Sequence, residues 1–263
     1  QTVELTEILN TDTVDFSLVA LSDCPLMTVN LGAYSMRRCA NNGISVKYCN
    51  HGAETADSAW VDVMLDTYLT FVSSTQPSVD LGGNTIRFLL GDVEPGDCGQ
   101  FNLFAYLNCD STILGQTHCV TAHSFPDTLC TQIPAWSGAN IEARVACQDS
   151  IVQFQLQNTG PAESQILNYI IIEDDVVMVQ GQHQDQPGEV YDIPIPATGH
   201  TYRIESQQEP GHPFSTLALA YEEGCGGFET LGFINQFTVN GTTPSWHTIC
   251  RENTGSYDPN DKQ

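Results

Sequence analysis

Apolar and polar residues alternate with a period of two along many short stretches of this chain, and Gly or Pro interrupts the alternation every ten residues or so. Runs of this kind, rich in Val, Ile, Thr, Phe and Tyr, describe half-buried strands, because successive side chains on a strand point to opposite faces. They predict strands at 14–21, 44–49, 59–65, 68–73, 84–90, 99–108 and 117–124 in the first half of the chain. In the second half they predict 140–146, 151–157, 167–179, 189–195, 200–206, 215–221 and 230–239. No stretch carries the 3.6-residue period of a long amphipathic helix.

An internal repeat sorts these strands into two sets. CANNGISVKYCNHG, from Cys39 to Gly52, matches CQDSIVQFQLQNTG, from Cys147 to Gly160, without a gap. Ile44, Val46 and Tyr48 alternate with polar positions in the first copy, as do Val152, Phe154 and Leu156 in the second. Each copy ends in Asn-x-Gly, where Asn bonds nearby backbone and Gly is expected to take a positive φ and turn the chain. Later elements follow in the same order: GNTIRFLL (83–90) with GEVYDIPI (188–195), then EPGDCGQFNLFAYL (94–107) with PATGHTYRIES (196–206). Copies 108 residues apart predict an all-β chain of two tandem immunoglobulin-like β-sandwiches. The expected modules are 1–132 and 133–254, with 255–263 a junction to a following module.

Ten cysteines change the picture of stability. Cys24, Cys39, Cys49, Cys98, Cys109, Cys119, Cys130, Cys147, Cys225 and Cys250 show neither CxxC pairs nor zinc-type spacing, so disulfides in an oxidising compartment are expected. Cys98 and Cys109 flank one strand, about 35 Å apart, and cannot pair with each other. The expected partners are Cys24 for Cys39, Cys49 for Cys98, Cys225 for Cys250 and Cys130 for Cys147, with Cys109 to Cys119 also easy across a hairpin.

The charge narrows the partners. Eight basic residues stand against 32 acidic ones, for a net charge of -24 shared between both halves. Such a chain repels nucleic acid and is at home in a medium rich in salt and divalent cations. No run of 18 apolar residues is present to span a membrane as a helix.

The run ISVKYCNHGAETADSAWVDVMLDTYLTFVSS, with LLGDVEPGDCGQFNLFAYL after it, resembles the conserved-repeat domain of unknown function found in tandem in bacterial surface proteins. GSYDPNDK, from Gly255 to Lys262, resembles the junction that precedes further modules in large secreted Bacteroidota proteins. The resemblance implies a cell-surface segment exported by type IX secretion, with a part in adhesion or in building an appendage or filament. It departs from that family in its cysteine content.

Candidate chemistry is sparse. His118 and His123 flank Cys119, but residues five apart on a strand face opposite ways, which argues against a shared metal. The carboxylate pairs Asp62 with Asp66 and Asp174 with Asp175 lack any sign of a cleft that would make them an acid-base couple. Asp258, Asn260 and Asp261 concentrate oxygen ligands at the junction and are the candidate site for a structural Ca²⁺; no other cofactor is indicated. Lys47, a conceivable isopeptide amine, shares its strand face with Cys49 and is expected to face solvent. Thr13, Ser58, Ser111, Thr128 and Ser150 each follow Asp and precede a small or apolar residue, a pattern resembling the Bacteroidota O-glycosylation motif.

The leading expectation is a non-enzymatic, secreted structural or adhesive building block: a stiff multimodular rod whose partners are neighbouring copies, neighbouring modules or a cell-surface target. The alternative is a carbohydrate- or protein-binding module of a surface receptor, using Trp136, Trp246, Tyr257 or the turn from Glu209 to Pro213. A hydrolase accessory domain is the third.

Overall fold

The computed structural model describes residues 24–127, 136–237, 239 and 244–255. Those residues are all-β, apart from one 3-10 turn at Phe233–Gln236. In chain order the strands are β1 (Met27–Gly32), β2 (Met36–Arg37), β3 (Ala40–Asn50), β4 (Ala56–Leu65), β5 (Leu69–Ser74), β6 (Ser78–Gly82), β7 (Thr85–Val93), β8 (Cys98–Leu107) and β9 (Thr117–Phe125). They continue as β10 (Ile141–Gln148), β11 (Ile151–Asn158), β12 (Leu167–Glu173), β13 (Val176–His183), β14 (Val190–Pro196), β15 (Thr201–Gln207), β16 (Leu217–Glu223) and β17 (Trp246–Thr254).

Two β-sandwiches result. The sheets β1-β3-β8-β5 and β2-β17-β9-β4-β7-β6 form the first, and β10-β11-β14 and β13-β12-β15-β16 form the second. Val29, Ile44, Val46, Phe101 and Leu103 from one sheet meet Val61, Val63, Phe88, Val120 and Ile249 from the other in the first core. Ile141, Val152, Phe154 and Ile195 meet Tyr169, Ile171, Tyr202 and Ile204 in the second. Every second residue of these strands faces inward, as the alternation predicts, and burying each large one contributes about 1.5–3 kcal/mol.

The chain path differs from a simple tandem. β17, which the sequence assigns to the second module, runs antiparallel beside β9, with Trp246 opposite His123 and Glu252 opposite Thr117. The second sandwich is therefore set between β9 and β17 of the first. Two further strand expectations change. Residues 167–179 break into the hairpin β12–β13, turning at Asp174 with φ 54°, and 230–239 holds the 3-10 turn instead of a strand. The expected strand 14–21 lies outside the described residues.

The self-match is structural. Asn50 is fully buried. Its Oδ1 accepts from the Leu26 and Gly52 amides, and its Nδ2 donates to the Glu54 and Val93 carbonyls. Asn158, also fully buried, repeats the arrangement with the Asn140 and Gly160 amides and the Ala162 and Asp185 carbonyls. In both copies a turn packs beside it: Glu94-Pro-Gly-Asp97 closes through Asp97 N to Glu94 O (3.0 Å), and Gln186-Pro-Gly-Glu189 through Glu189 N to Gln186 O (2.9 Å). Gly96 and Gly188 take φ of 84° and 79°, the positive value that follows Pro in a type II turn. EPGDC therefore corresponds to QPGEV, and β8 to β14, a different pairing of the later elements from the one read in sequence.

Gly52 and Gly160 have another reason to be glycine than a positive φ. A Cβ on Gly52 would meet the Cys24 carbonyl, the Leu26 amide and Pro25 Cα, and one on Gly160 would meet Gly138, Asn140 and Ala139 backbone. Glycine here permits backbone to lie against backbone.

Four disulfides join described cysteines: Cys39–Cys109, Cys49–Cys98, Cys119–Cys250 and Cys147–Cys225. Cys24 is disulfide-bonded too, and no free cysteine remains among the described residues. Only the Cys49–Cys98 expectation matches, and strand register explains why. Cys49 faces Cys98 across β3 and β8, whose other end brings Cys39 to Cys109. The return of β17 sets Cys250 opposite Cys119, which excludes Cys109–Cys119 and Cys225–Cys250. Cys130 lies outside the described residues, but Cys147 is taken by Cys225.

Replacing Asn50 or Asn158 by Ala removes a buried amide and strands four buried or half-buried backbone groups, so each substitution is expected to cost about 3–4 kcal/mol, read as a lowered urea midpoint. A change within about 0.5 kcal/mol would contradict the role given to the amide. His247 supplies a pH test, because its Nδ1 accepts the Leu31 amide at 3.1 Å and burial holds its pKa below the ordinary value. A depressed histidine contributes stability that is complete above pH ~6.5 and lost as pH falls through that value toward the folded pKa. The stability advantage of the native protein over His247→Leu, about 1–2 kcal/mol at pH 7.5, should narrow by pH 5 in urea titrations.

Candidate functional site

A cleft of about 760 Å³ lies where the two sandwiches meet. Ile141 to Arg144 of β10 and Leu217 to Leu219 of β16 line it, together with Trp136, the Thr159–Pro161 turn, His212, Phe214 and, from the first residue of β17, Trp246. The residues the sequence offered as ligand-binding loops thus converge: Trp136, Trp246 and the turn from Glu209 to Pro213. Tyr257 lies outside the described residues.

Local bonds fix the walls. The Trp136 indole N–H donates to the Ala139 carbonyl at 2.9 Å, and its ring meets His212 edge-on with centroids 5.2 Å apart. His212 Nδ1 accepts from the Phe214 and Ser215 amides at 3.3 and 3.1 Å, so the proton sits on Nε2, which donates to Asn140 Oδ1 at 2.9 Å. Burial lowers the His212 pKa and keeps the ring neutral near pH 7. Asn140 Nδ2 in turn donates to Thr159 Oγ1 at 2.8 Å. The exposed Arg144 and Glu142 pair at 3.0 Å.

Trp246 is held from behind. His123 stacks on it at 3.8 Å, Phe125 follows at 3.9 Å from His123, and Trp60 stacks on Phe125 at 4.8 Å under the Arg87 guanidinium. One side of the indole is covered, yet 41% of Trp246 remains exposed, at the cleft.

A second polar group escaped sequence reasoning. His183 Nε2 lies 2.7 Å from Ser206 Oγ, and its Nδ1 lies 2.6 Å from Asp185 Oδ2. The order Ser-His-Asp is that of an activated nucleophile. All three side chains are buried, under Tyr169 and Tyr191. The spacing His183-x-Asp185 was the available signal; Ser206 comes from a neighbouring part of the sheet that only the fold reveals.

The other sequence candidates separate. His118 is buried and His123 faces the outer side of the sheet, as their spacing predicts. Asp62 holds Arg87 through both oxygens at 2.7 Å. Asp66 and Asp174 occupy equivalent strand ends, beside His118 at 3.4 Å and His200 at 2.9 Å respectively, so these carboxylates serve turns. Lys47 is exposed. Ser58, Ser111 and Ser150 are exposed, while Thr13, Thr128 and the metal candidates Asp258, Asn260 and Asp261 lie outside the described residues. Among the described residues no three His, Cys, Asp or Glu side chains are grouped to hold a metal.

A scan against protein-family models finds no match to this chain, and a search of curated protein sequences finds none either.

Because Ser206 has no accessible surface, a fluorophosphonate probe is expected to leave it unmodified in the folded protein, as peptide mass mapping would show. Labelling at Ser206 would reveal an opening that exposes a working nucleophile. Asp185→Ala, which leaves His183 without its carboxylate, should cost about 2–3 kcal/mol in urea unfolding.

Proposed function

We propose that this chain is a segment of a secreted surface protein and acts there as a stiff structural and adhesive building block. The observation that carries the reading is the joint. The backbone leaves the first sandwich on β9 and returns on β17, and Cys119–Cys250 ties those two strands to each other. Glu223, at the end of β16, accepts from the Thr117 amide at 2.7 Å, from the Thr117 hydroxyl at 3.0 Å and from the Gly232 amide at 2.7 Å. Two chain crossings plus a shared carboxylate restrict hinge motion between modules, which suits a part that transmits force.

The disulfides fit an oxidising compartment, and the charge of -24 suits a surface bathed in salt. Neighbouring copies, neighbouring modules or a cell-surface target are the partners this reading supplies. Export by the type IX route, glycosylation and a place in a Bacteroidota filament follow from the resemblances alone. A ligand-binding receptor module is the second reading, favoured by the cleft that Trp136 and Trp246 share.

Antibodies against the folded chain should label intact, unpermeabilised cells, at regular intervals if the segment recurs along a fibre; labelling confined to the cell interior would end the proposal. The double substitution Cys119→Ser with Cys250→Ser should cost about 2–4 kcal/mol and open the joint to limited proteolysis.

A further inference from the structure

We propose that the cleft at the junction of the two sandwiches binds an uncharged oligosaccharide. The inference deepens the receptor reading and rests on it; it does not need the segment to be a structural rod.

Shape and chemistry both point to sugar. The volume, about 760 Å³, falls among ligand sites, which run from about 300 to 1,000 Å³. Trp136, Phe214 and Trp246 bring flat apolar rings to the lining. A pyranose has an apolar face of C–H groups that packs on such a ring, and a rim of hydroxyls that needs both donors and acceptors. Arg144 and Glu142 supply that rim from the first half of β10. The guanidinium spends one nitrogen on Glu142 and has further N–H groups in a fixed fork, while the carboxylate keeps acceptor capacity.

Electrostatics selects the class. Arg144 and Glu142 cancel, and His212 is held neutral by burial and by the two amides it accepts. The lining therefore offers no net cation for a sulfate or uronate, and the surrounding chain at -24 repels polyanions. The site is also set before a ligand arrives. Trp136 is locked by its indole bond, His212 by three partners and Trp246 by the ring stack behind it. Side chains already ordered spend little entropy on binding.

The test uses the full chain, soluble gluco-, manno-, xylo- and chito-oligosaccharides, a sulfated and a uronate oligosaccharide, and a random peptide pool, measured by calorimetry and by tryptophan fluorescence. Binding of at least one uncharged oligosaccharide is expected, weakened about tenfold or more by Trp246→Ala and by Arg144→Ala. Arg144 is exposed, so the urea midpoint of Arg144→Ala should stay unchanged and unfolding cannot explain its loss. Trp246→Ala also gives up the stack on His123, so its binding is read at a temperature and urea concentration where that variant is fully folded. A lack of binding across the uncharged set would overturn the proposal. So would binding indifferent to both substitutions, or a preference for the anionic sugars or the peptides. Surface labelling of cells is a separate readout, so a negative sugar result leaves the surface-protein reading to stand or fall by itself.

Discussion

The fold depends on a buried amide used twice. Asn50 and Asn158 each satisfy two backbone amides and two carbonyls, one of each from the turn that follows and one of each from a segment distant in sequence, at the place where a strand leaves one sheet to join the other. A buried polar group is costly unless all its bonds are made, and when they are made it admits a single arrangement of its neighbours. Here the neighbours are the chain entering β1 or β10, the loop after Gly52 or Gly160, and the end of β7 or the stretch after β13. The apolar cores supply most of the stabilisation, but they would tolerate a sliding strand better than this amide does. Glycine two residues later is part of the same constraint, since any side chain there would push the entering strand off the asparagine.

Nesting one sandwich inside the other follows from having the same plan twice. In the second sandwich β15 runs into β16 directly, through the short turn around Gly211. In the first, the corresponding step from β9 to β17 contains the whole second sandwich. Insertion at such a loop is tolerated because β9 and β17 must lie side by side whatever connects them, so the ends of the insert are already close. The joint inherits that closeness: Cys119 and Cys250 are direct cross-strand neighbours, and Thr117 is within reach of Glu223.

The sequence revealed what repeats locally and hid what is joined from afar. Period-two alternation marked β3, β4, β8, β11 and β15 because most of their inward positions are apolar, among them Ile44, Val46, Val61, Val63, Phe101, Leu103, Val152, Phe154, Tyr202 and Ile204. β17 was missed because its inward face mixes His247, Ile249, Arg251 and Asn253, of which only Ile249 carries an apolar signal. β6 was missed because all five of its residues are exposed. The hairpin between β12 and β13 turns on two aspartates, a weaker cue than Asn-Gly or Asp-Gly. Disulfide partners needed register, which cysteine order does not contain. The residues of the candidate cleft were partly legible: Trp136, Trp246 and the loop carrying His212 stood out as aromatic or turn-forming, whereas their convergence depends on β17 returning across the molecule.

That dependence links the joint to the cleft. Trp246 enters the lining only as the first residue of β17, and β17 is positioned by β9, by the bond from the Leu31 amide to His247 and by Cys119–Cys250. Trp136 and His212 belong to the second sandwich and are held by its own turns. A hinge between the modules would move one aromatic wall against the other and erase a preformed site, because a ring platform loses its contact within about an ångström of displacement. Stiffness at the joint therefore serves both proposed roles at once: load-bearing in a surface protein, and keeping two tryptophans from different modules facing one space.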